Sequence, residues 1–286
     1  MDYLLHTENF RQLPFRGAYL ESLLAKRVTQ LLKEVDGKQD PDISIVIRTK
    51  NDMEYIKALF ADIKAQLFTG KVETIVVDTS STDGTAEFAR SQDATVISIK
   101  QADFTYPKAL NMGFRAANHP YVMTIVGHSA LTSRLYLKTL TRYYDVNNFG
   151  GVFGWPLPNW NGSMTERLST SIGMAKYLRS VDIISQPTMG VLGANSAILS
   201  RAAWEKFGGY DEHFAMGGED GALGTLMLQD GMFVVRDPLC TVFHSHGLSL
   251  VNGIRQFWHW HQVAKPLPFE EDKLLARRPD MRKKRT

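Results

Sequence analysis

Two adjacent acids behind a pair of glycines, an aspartate at the end of a β-branched run and three histidines in two short segments carry most of the chemistry this sequence offers. Asp78 closes the run Thr74-Ile75-Val76-Val77. A carboxylate left unpaired at a buried strand end is costly, and an aspartate there can accept hydrogen bonds from a ribose hydroxyl or a base N–H. A second run, Ile43 to Ile47, ends in Arg48, Thr49, Lys50, Asn51 and Asp52. Polar residues just beyond the carboxyl ends of neighbouring strands line the crevice where open α/β sheets bind ligands, so a nucleotide pocket is expected around Thr49, Asn51, Asp52 and Asp78. Ser80, Ser81, Thr82 and Asp83 are read as turn and helix-capping residues. Glu219 and Asp220 follow Gly217 and Gly218, which let the backbone approach a substrate. Carboxylates are also favoured at a helix start, so capping competes with acid–base chemistry there. His128, His244 and His246 are imidazoles able to ligate a divalent cation. In a strand, His244 and His246 would point to opposite faces, so only one of them is expected at a site.

The elements that must hold these residues alternate. Strands are expected over 43–49, 72–78, near 95–99 and over 121–126, with helices between them and near 107–117. That rhythm predicts an α/β fold with a mostly parallel sheet and helices on both faces. Beyond about residue 150 the rhythm loosens: a helix over roughly 164–182, a strand over 191–199, a short helix over 202–207, a helix from Gly217 to about 230 and short strands over 233–235 and 241–243 are expected. Ahead of the sheet, Leu20, Leu23, Leu24, Val28, Leu31, Leu32 and Val35 fall at helical spacing. This amphipathic helix either packs on the main domain or pairs with a second subunit. The expected division is an N-terminal helical extension over 1–40, a main domain over 41–250 and a C-terminal aromatic and basic extension over 251–286.

The 286 residues suffice for a full α/β core. The single cysteine, Cys240, excludes an internal disulfide and fits a reducing compartment. The N-terminus makes a poor signal peptide and no apolar run reaches the length of a membrane span, so a cytoplasmic protein is expected. From Lys273 onward seven Lys/Arg face one acid, which leaves the rest of the chain at −3 within a total of +3. That profile excludes nucleic acid as the expected partner. The tail is read as a solvated end, with weak peripheral attraction to anionic lipid as the sharper alternative.

Four ordered segments between about Ile43 and Gly247 resemble family 2 glycosyltransferases of the GT-A (Rossmann-like) fold. Ile45 to Asp52 resembles the opening strand and nucleotide loop. Val76-Val77-Asp78-Thr79-Ser80-Ser81-Thr82-Asp83-Gly84-Thr85 is similar to the family's VDSGSTDGT segment. Phe104 to Ala117 resembles the helix with a basic residue and an Asn-x-Gly. Gly217-Gly218-Glu219-Asp220, with His244 and His246 downstream, resembles the acceptor-side carboxylate and the histidine after it.

The resemblance implies an inverting transfer of a sugar from a nucleoside-diphosphate donor (UDP-, GDP- or dTDP-linked) to an acceptor hydroxyl. It places Thr49, Asn51 or Asp52, and Asp78 at the nucleotide, with Lys108 and then Arg48 offsetting phosphate charge. It makes Asp220 the general base and Glu219 an acceptor-binding or orienting residue. The family's Asp-x-Asp is replaced here by Val126-Gly127-His128. His128 is therefore expected at the diphosphate, as a ligand of Mn2+ or Mg2+ or as a direct donor, with His244 and His246 as further metal ligands, and the loss of both acids puts the need for a metal in question. Trp155, Trp160, Trp204 and the cluster Phe257-Trp258-His259-Trp260-His261 are candidates for stacking on an acceptor, with Trp204 read as core and the cluster equally readable as an active-site lid, an oligomer contact or a membrane-facing patch. A sugar nucleotidyltransferase would want a glycine-rich loop after the first strand, which Arg48 to Asp52 lacks. A non-catalytic nucleotide-sugar-binding module is the other alternative, and retention of Glu219 and Asp220 argues against it.

Overall fold

The computed structural model describes residues 4–247, apart from 14–15, 160–161, 165, 169–173, 188–189 and 215–216, together with Val251, Asn252, Arg255 and Trp258. Trp160, the basic tail and all of the 257–261 cluster except Trp258 lie outside the described residues.

The chain opens with α1 (Thr7–Arg11) and α2 (Gly17–Glu34). It then alternates through β1 (Ile43–Thr49), α3 (Met53–Lys64), β2 (Val72–Asp78), α4 (Thr85–Ser91), β3 (Thr95–Ser98), α5 (Tyr106–Ala116) and β4 (Tyr121–Val126). β5 (Ala130–Leu131), β6 (Phe149–Phe153), β7 (Asp182–Ile183), β8 (Ser196–Ser200), α6 (Arg201–Lys206), α7 (Glu219–Gln229), β9 (Phe233–Arg236) and β10 (Val242–Phe243) follow. The main sheet runs β3-β2-β1-β4-β8-β6-β9-β7. It is parallel from β3 to β4, where right-handed crossovers are the rule for such units, and mixed beyond, with β8 antiparallel to both β4 and β6.

β1 buries side chains on both faces, with only Arg48 half-buried, as a central parallel strand must. Val46, Val77, Leu110, Phe114, Trp204, Leu223 and Met227 pack together on one face. Ile45, Ile47, Ile56, Leu59, Tyr136 and Leu140 pack on the other. A third core joins α1 and α2 to the rest: Phe10, Leu20, Leu24 and Leu31 meet Leu135, Leu157, Leu239 and Phe243. The apolar stripe of α2, apart from exposed Leu32, is thus used within the chain. Polar locks back this up. Arg142 reaches Asp237 at 2.6 Å and Glu34 of α2 at 2.5 Å, and the Tyr143 hydroxyl donates to Asp237 at 2.7 Å.

Two expectations need correction. The strand expected over 191–199 starts only at Ser196, because Gly190 and Leu192 adopt left-handed backbone (φ 73° and 54°) and form a turn. A helix cannot reach residue 182, because Asp182 and Ile183 pair with Arg236 and Val235 of β9. β6 has no counterpart in the expected pattern. Its Gly150 and Gly151 weaken the strand signal, yet a Cβ on Gly151 would stand 2.7 Å from Leu192 and 2.9 Å from the Ile198 carbonyl, so close packing requires glycine there. Among the described residues, no helix is long and apolar enough to cross a membrane.

Candidate active site

The parallel register sets Thr49 of β1 beside Asp78 of β2 at the carboxyl edge of the sheet. The loops after the two strands are laced together. The Asn51 N–H donates to Ser81 Oγ at 2.8 Å, and Asn51 Oδ1 accepts from the Thr82 N–H at 2.8 Å. Asp83 accepts from the Met53 N–H at 2.9 Å and the Thr85 N–H at 3.0 Å, and so ties the starts of α3 and α4. The Asn51 side-chain oxygen therefore holds the loop. Asp78 is different: one carboxylate oxygen accepts from the Ser81 N–H at 3.1 Å, and the other is buried without a partner. Such an atom is destabilising unless a ligand supplies a donor.

Beside this edge, β4 ends in Val126-Gly127-His128. A Cβ on Gly127 would stand 2.5 Å from Thr49 Oγ1 and 2.6 Å from Asp52 Oδ2; only glycine lets this turn lie against the β1 loop. Thr49 Oγ1 donates to Asp52 Oδ2 at 2.8 Å, and Asp52 Oδ1 lies 3.2 Å from His128 Nδ1. Asp52, expected at the nucleotide, thus turns its carboxylate to Thr49 and His128. The His128 ring stacks on His244 with centroids 4.8 Å apart, and His246 completes the group. His244 Nδ1 is 3.3 Å from Ser129 Oγ, and the Nε2 atoms of His244 and His246 are 3.2 Å apart. The expectation that only one of this pair faces the site is corrected. β10 stops at Phe243, so strand alternation does not extend to His246, and both rings turn to His128. Burial, then the neighbouring His246 and His128 and finally Arg48, push His244 well below the usual imidazole range; burial and His128 lower His246. Both are neutral and fit to bind a cation at neutral pH.

Arg48 lies on the opposite face of β1 from Thr49. Its guanidinium sits over the Tyr106 ring, 4.9 Å from the centroid, in the first turn of α5 where half-buried Lys108 also stands. Its positive charge acts on His244, Glu219 and Asp220. Gly217 and Gly218, at φ 125° and 97°, swing the chain into α7 in a conformation that favours glycine. Glu219 is 3% exposed and one of its oxygens is buried without a partner. Burial, then the charge of Asp220, raises its carboxyl to about 7. Asp220 is half-buried; it accepts from the Gly221 N–H at 2.7 Å and the Ala194 N–H at 3.3 Å, and burial raises its pKa against those bonds.

Sequence reasoning missed the supports. Asn111 accepts from the Tyr210 N–H (2.9 Å) and Trp204 Nε1 (3.2 Å) and donates to the Tyr210 carbonyl (2.9 Å) and Glu212 (2.9 Å). It anchors the segment that leads to Gly217. The Asn-x-Gly was the only signal for it. Ser129 and Tyr106 carried none. Trp155 stacks on Tyr177 at 5.5 Å, and Trp204 is buried against Phe114.

Residues 44–206, more than half of the chain, match the profile of glycosyl transferase family 2. The chain belongs to that family. The matched stretch stops before Glu219 and the His244–His246 pair. Among solved structures, this family 2 chain is similar to the mannosyltransferase PcManGT from Pyrobaculum calidifontis, in complex with GDP-Man and Mn2+, at 17% identity over 82% of this chain and 68% of that one, with a TM-score of 0.54. S. aureus TarS 1-349 in complex with UDP matches at 14% identity over 78% of this chain and 64% of that one, with a TM-score of 0.56. These likenesses establish the GT-A fold. The O-antigen chain rhamnosyltransferase WbaN of Salmonella anatum is 24% identical over 182 residues, which are 62% of this chain. The chain spans 58% of that relative's length.

Proposed function

We propose that the chain is an inverting glycosyltransferase that moves a sugar from a nucleoside-diphosphate donor to an acceptor hydroxyl. The observation that carries this reading is the unpartnered, buried Asp78 oxygen at the sheet edge, together with a carboxylate pair within reach of the charge of Arg48, which stands on the neighbouring strand. Asp78 accepts from the donor's base or ribose, and Thr49 and Asn51 shape the loop beside it. Arg48 and Lys108 offset charge on the leaving diphosphate. The three imidazoles fit a divalent cation, which when bound neutralises that same charge; His128, His244 and His246 would hold it. Asp220, the more open of the two acids, takes the acceptor's proton as its oxygen attacks C1, and Glu219 orients it. One base and no protein nucleophile give inversion at the anomeric carbon. The complexes of the structural neighbours with GDP-Man and UDP support a nucleotide-sugar donor. UDP-, GDP- and dTDP-sugars are all candidates.

A thermal-shift screen across those sugars tests donor binding. Asp220→Asn is expected to lose roughly 10²–10⁴-fold in turnover while keeping donor affinity, the usual worth of a positioned base. Near-normal turnover in that variant would remove Asp220 from its role. NMR of the product's anomeric proton checks inversion.

A further inference from the structure

We infer that His128, His244 and His246 form an all-nitrogen cation centre that selects Zn2+ or Co2+ over Mg2+, with Asp52 as the positioning carboxylate behind His128. The inference deepens the reading of this cleft as a diphosphate site and rests on it for the cation's purpose alone.

Four observations carry it. First, the Nε2 atoms of His244 and His246 stand 3.2 Å apart. Metal–nitrogen bonds of about 2.1 Å in tetrahedral or octahedral arrangement place ligand nitrogens roughly 3.0–3.4 Å apart, so the pair already has the spacing of two ligands on one ion. Second, two rings are held from behind. His128 Nδ1 meets Asp52 at 3.2 Å and His244 Nδ1 meets Ser129 at 3.3 Å, the outer-shell arrangement that fixes tautomer and ring direction in metal-binding histidines. Third, the ligand atoms of all three lie within 4.8 Å of one another, so closing around one ion means turning His128 in from its stack on His244. Fourth, the group contains no carboxylate. Of the nearby acids, Asp52 is engaged by Thr49 Oγ1 at 2.8 Å and the Lys50 N–H at 3.3 Å as well as by His128, and Glu166 accepts from the His246 N–H at 3.0 Å and the Ser163 N–H at 2.8 Å. Mg2+ demands oxygen ligands and gives up water reluctantly, whereas imidazole suits the later divalent metals. Replacing the Asp-x-Asp with Val126-Gly127-His128 therefore changes the class of cation and not merely its ligands. Three protein donors leave open positions for oxygen atoms of a bound diphosphate.

The test uses the full chain, stripped with a chelator and titrated with Co2+, read by absorption and calorimetry without any turnover. One Co2+ per chain with ligand-field bands, displaced by Zn2+ and undisturbed by millimolar Mg2+, is the expected result. Asp52→Asn is expected to weaken Co2+ by about 10–100-fold while the stripped protein stays folded by circular dichroism. His128→Ala and His246→Asn are expected to lose the bands while remaining folded by circular dichroism. Displacement of Co2+ by Mg2+ at comparable concentration overturns the selectivity, and unchanged Co2+ spectra in both histidine variants overturn the site. Melting shifts with UDP-, GDP- and dTDP-sugars in EDTA separate this from the functional reading. With the same shifts repeated after Co2+ loading, nucleotide binding without Co2+ uptake removes the centre alone, and Co2+ uptake with no nucleotide binding in either condition upholds the centre and removes the donor reading.

Discussion

Glu219 holds one carboxylate oxygen away from every donor while sitting next to Asp220 in sequence, and the strain of that arrangement is measurable. Its carboxyl rises from an ordinary 4.5 to about 7 through burial and then the charge of Asp220. Between those values the unfolded chain gives up its proton first, so the group makes stability fall as pH rises, and the penalty is complete above about 7. Glu219→Gln removes it. The variant is expected to match the native protein's melting temperature near pH 4.5 and to exceed it at pH 8; a shift of this size is worth at most about 3 kcal/mol, at roughly 2–4 °C per kcal/mol for a chain of this class. Calorimetry at the two pH values decides it, and an equal melting temperature at pH 8 would show that Glu219 is ionised at no cost. At this scale the sequence was readable where a residue type is out of place. Asp78 after four β-branched or apolar residues, and two acids after two glycines, announce themselves. Ser129 and Tyr106 do not, because a serine or tyrosine is unremarkable until its neighbour across the fold is known. The role of Asp52 was hidden for the same reason: its partner His128 is far along the chain and meets it only because β1 and β4 are adjacent.

At the scale of elements, the site depends on close approaches. Gly127→Ala would press a methyl group onto Thr49 and Asp52. Overpacking of this kind costs about 1–3 kcal/mol, and the displaced His128 should lose its contact with Asp52; chemical denaturation together with Co2+ affinity reports both. Asn111→Ala strands the Tyr210 N–H and carbonyl and the Trp204 indole N–H. Each buried orphan costs about 1–3 kcal/mol, so a destabilisation of several kcal/mol is expected in urea melts. A change below 1 kcal/mol would mean that water replaces the side chain. The parallel half of the sheet was legible because a buried strand of Val and Ile has few alternatives. The second half was not. β6 is built around two glycines that propensity counts against, and β10 is too short for alternation to govern the residues that follow it.

For the whole molecule, the third core matters to the site because it contains Phe243. The Phe10 ring sits edge-on to Phe243 at 5.0 Å, one residue before His244. Phe10→Ala is expected to cost about 3–5 kcal/mol, as large core truncations do, and to loosen the His244–His246 pair. Denaturation measures the first and Co2+ uptake the second; loss of stability with full Co2+ affinity would show that the histidines stand without the N-terminal arm. The helical spacing of α2 was plain in the sequence, but its docking surface was not, because Leu135, Leu157, Leu239 and Phe243 are scattered along the chain and meet only after folding. That scattering makes the protein poorly modular. A chimaera joined at Ile43 would inherit the family's recognisable portion yet arrive without the aromatic wedge under β10, so a successful graft must carry its leading helices with it or refit the cradle they leave empty.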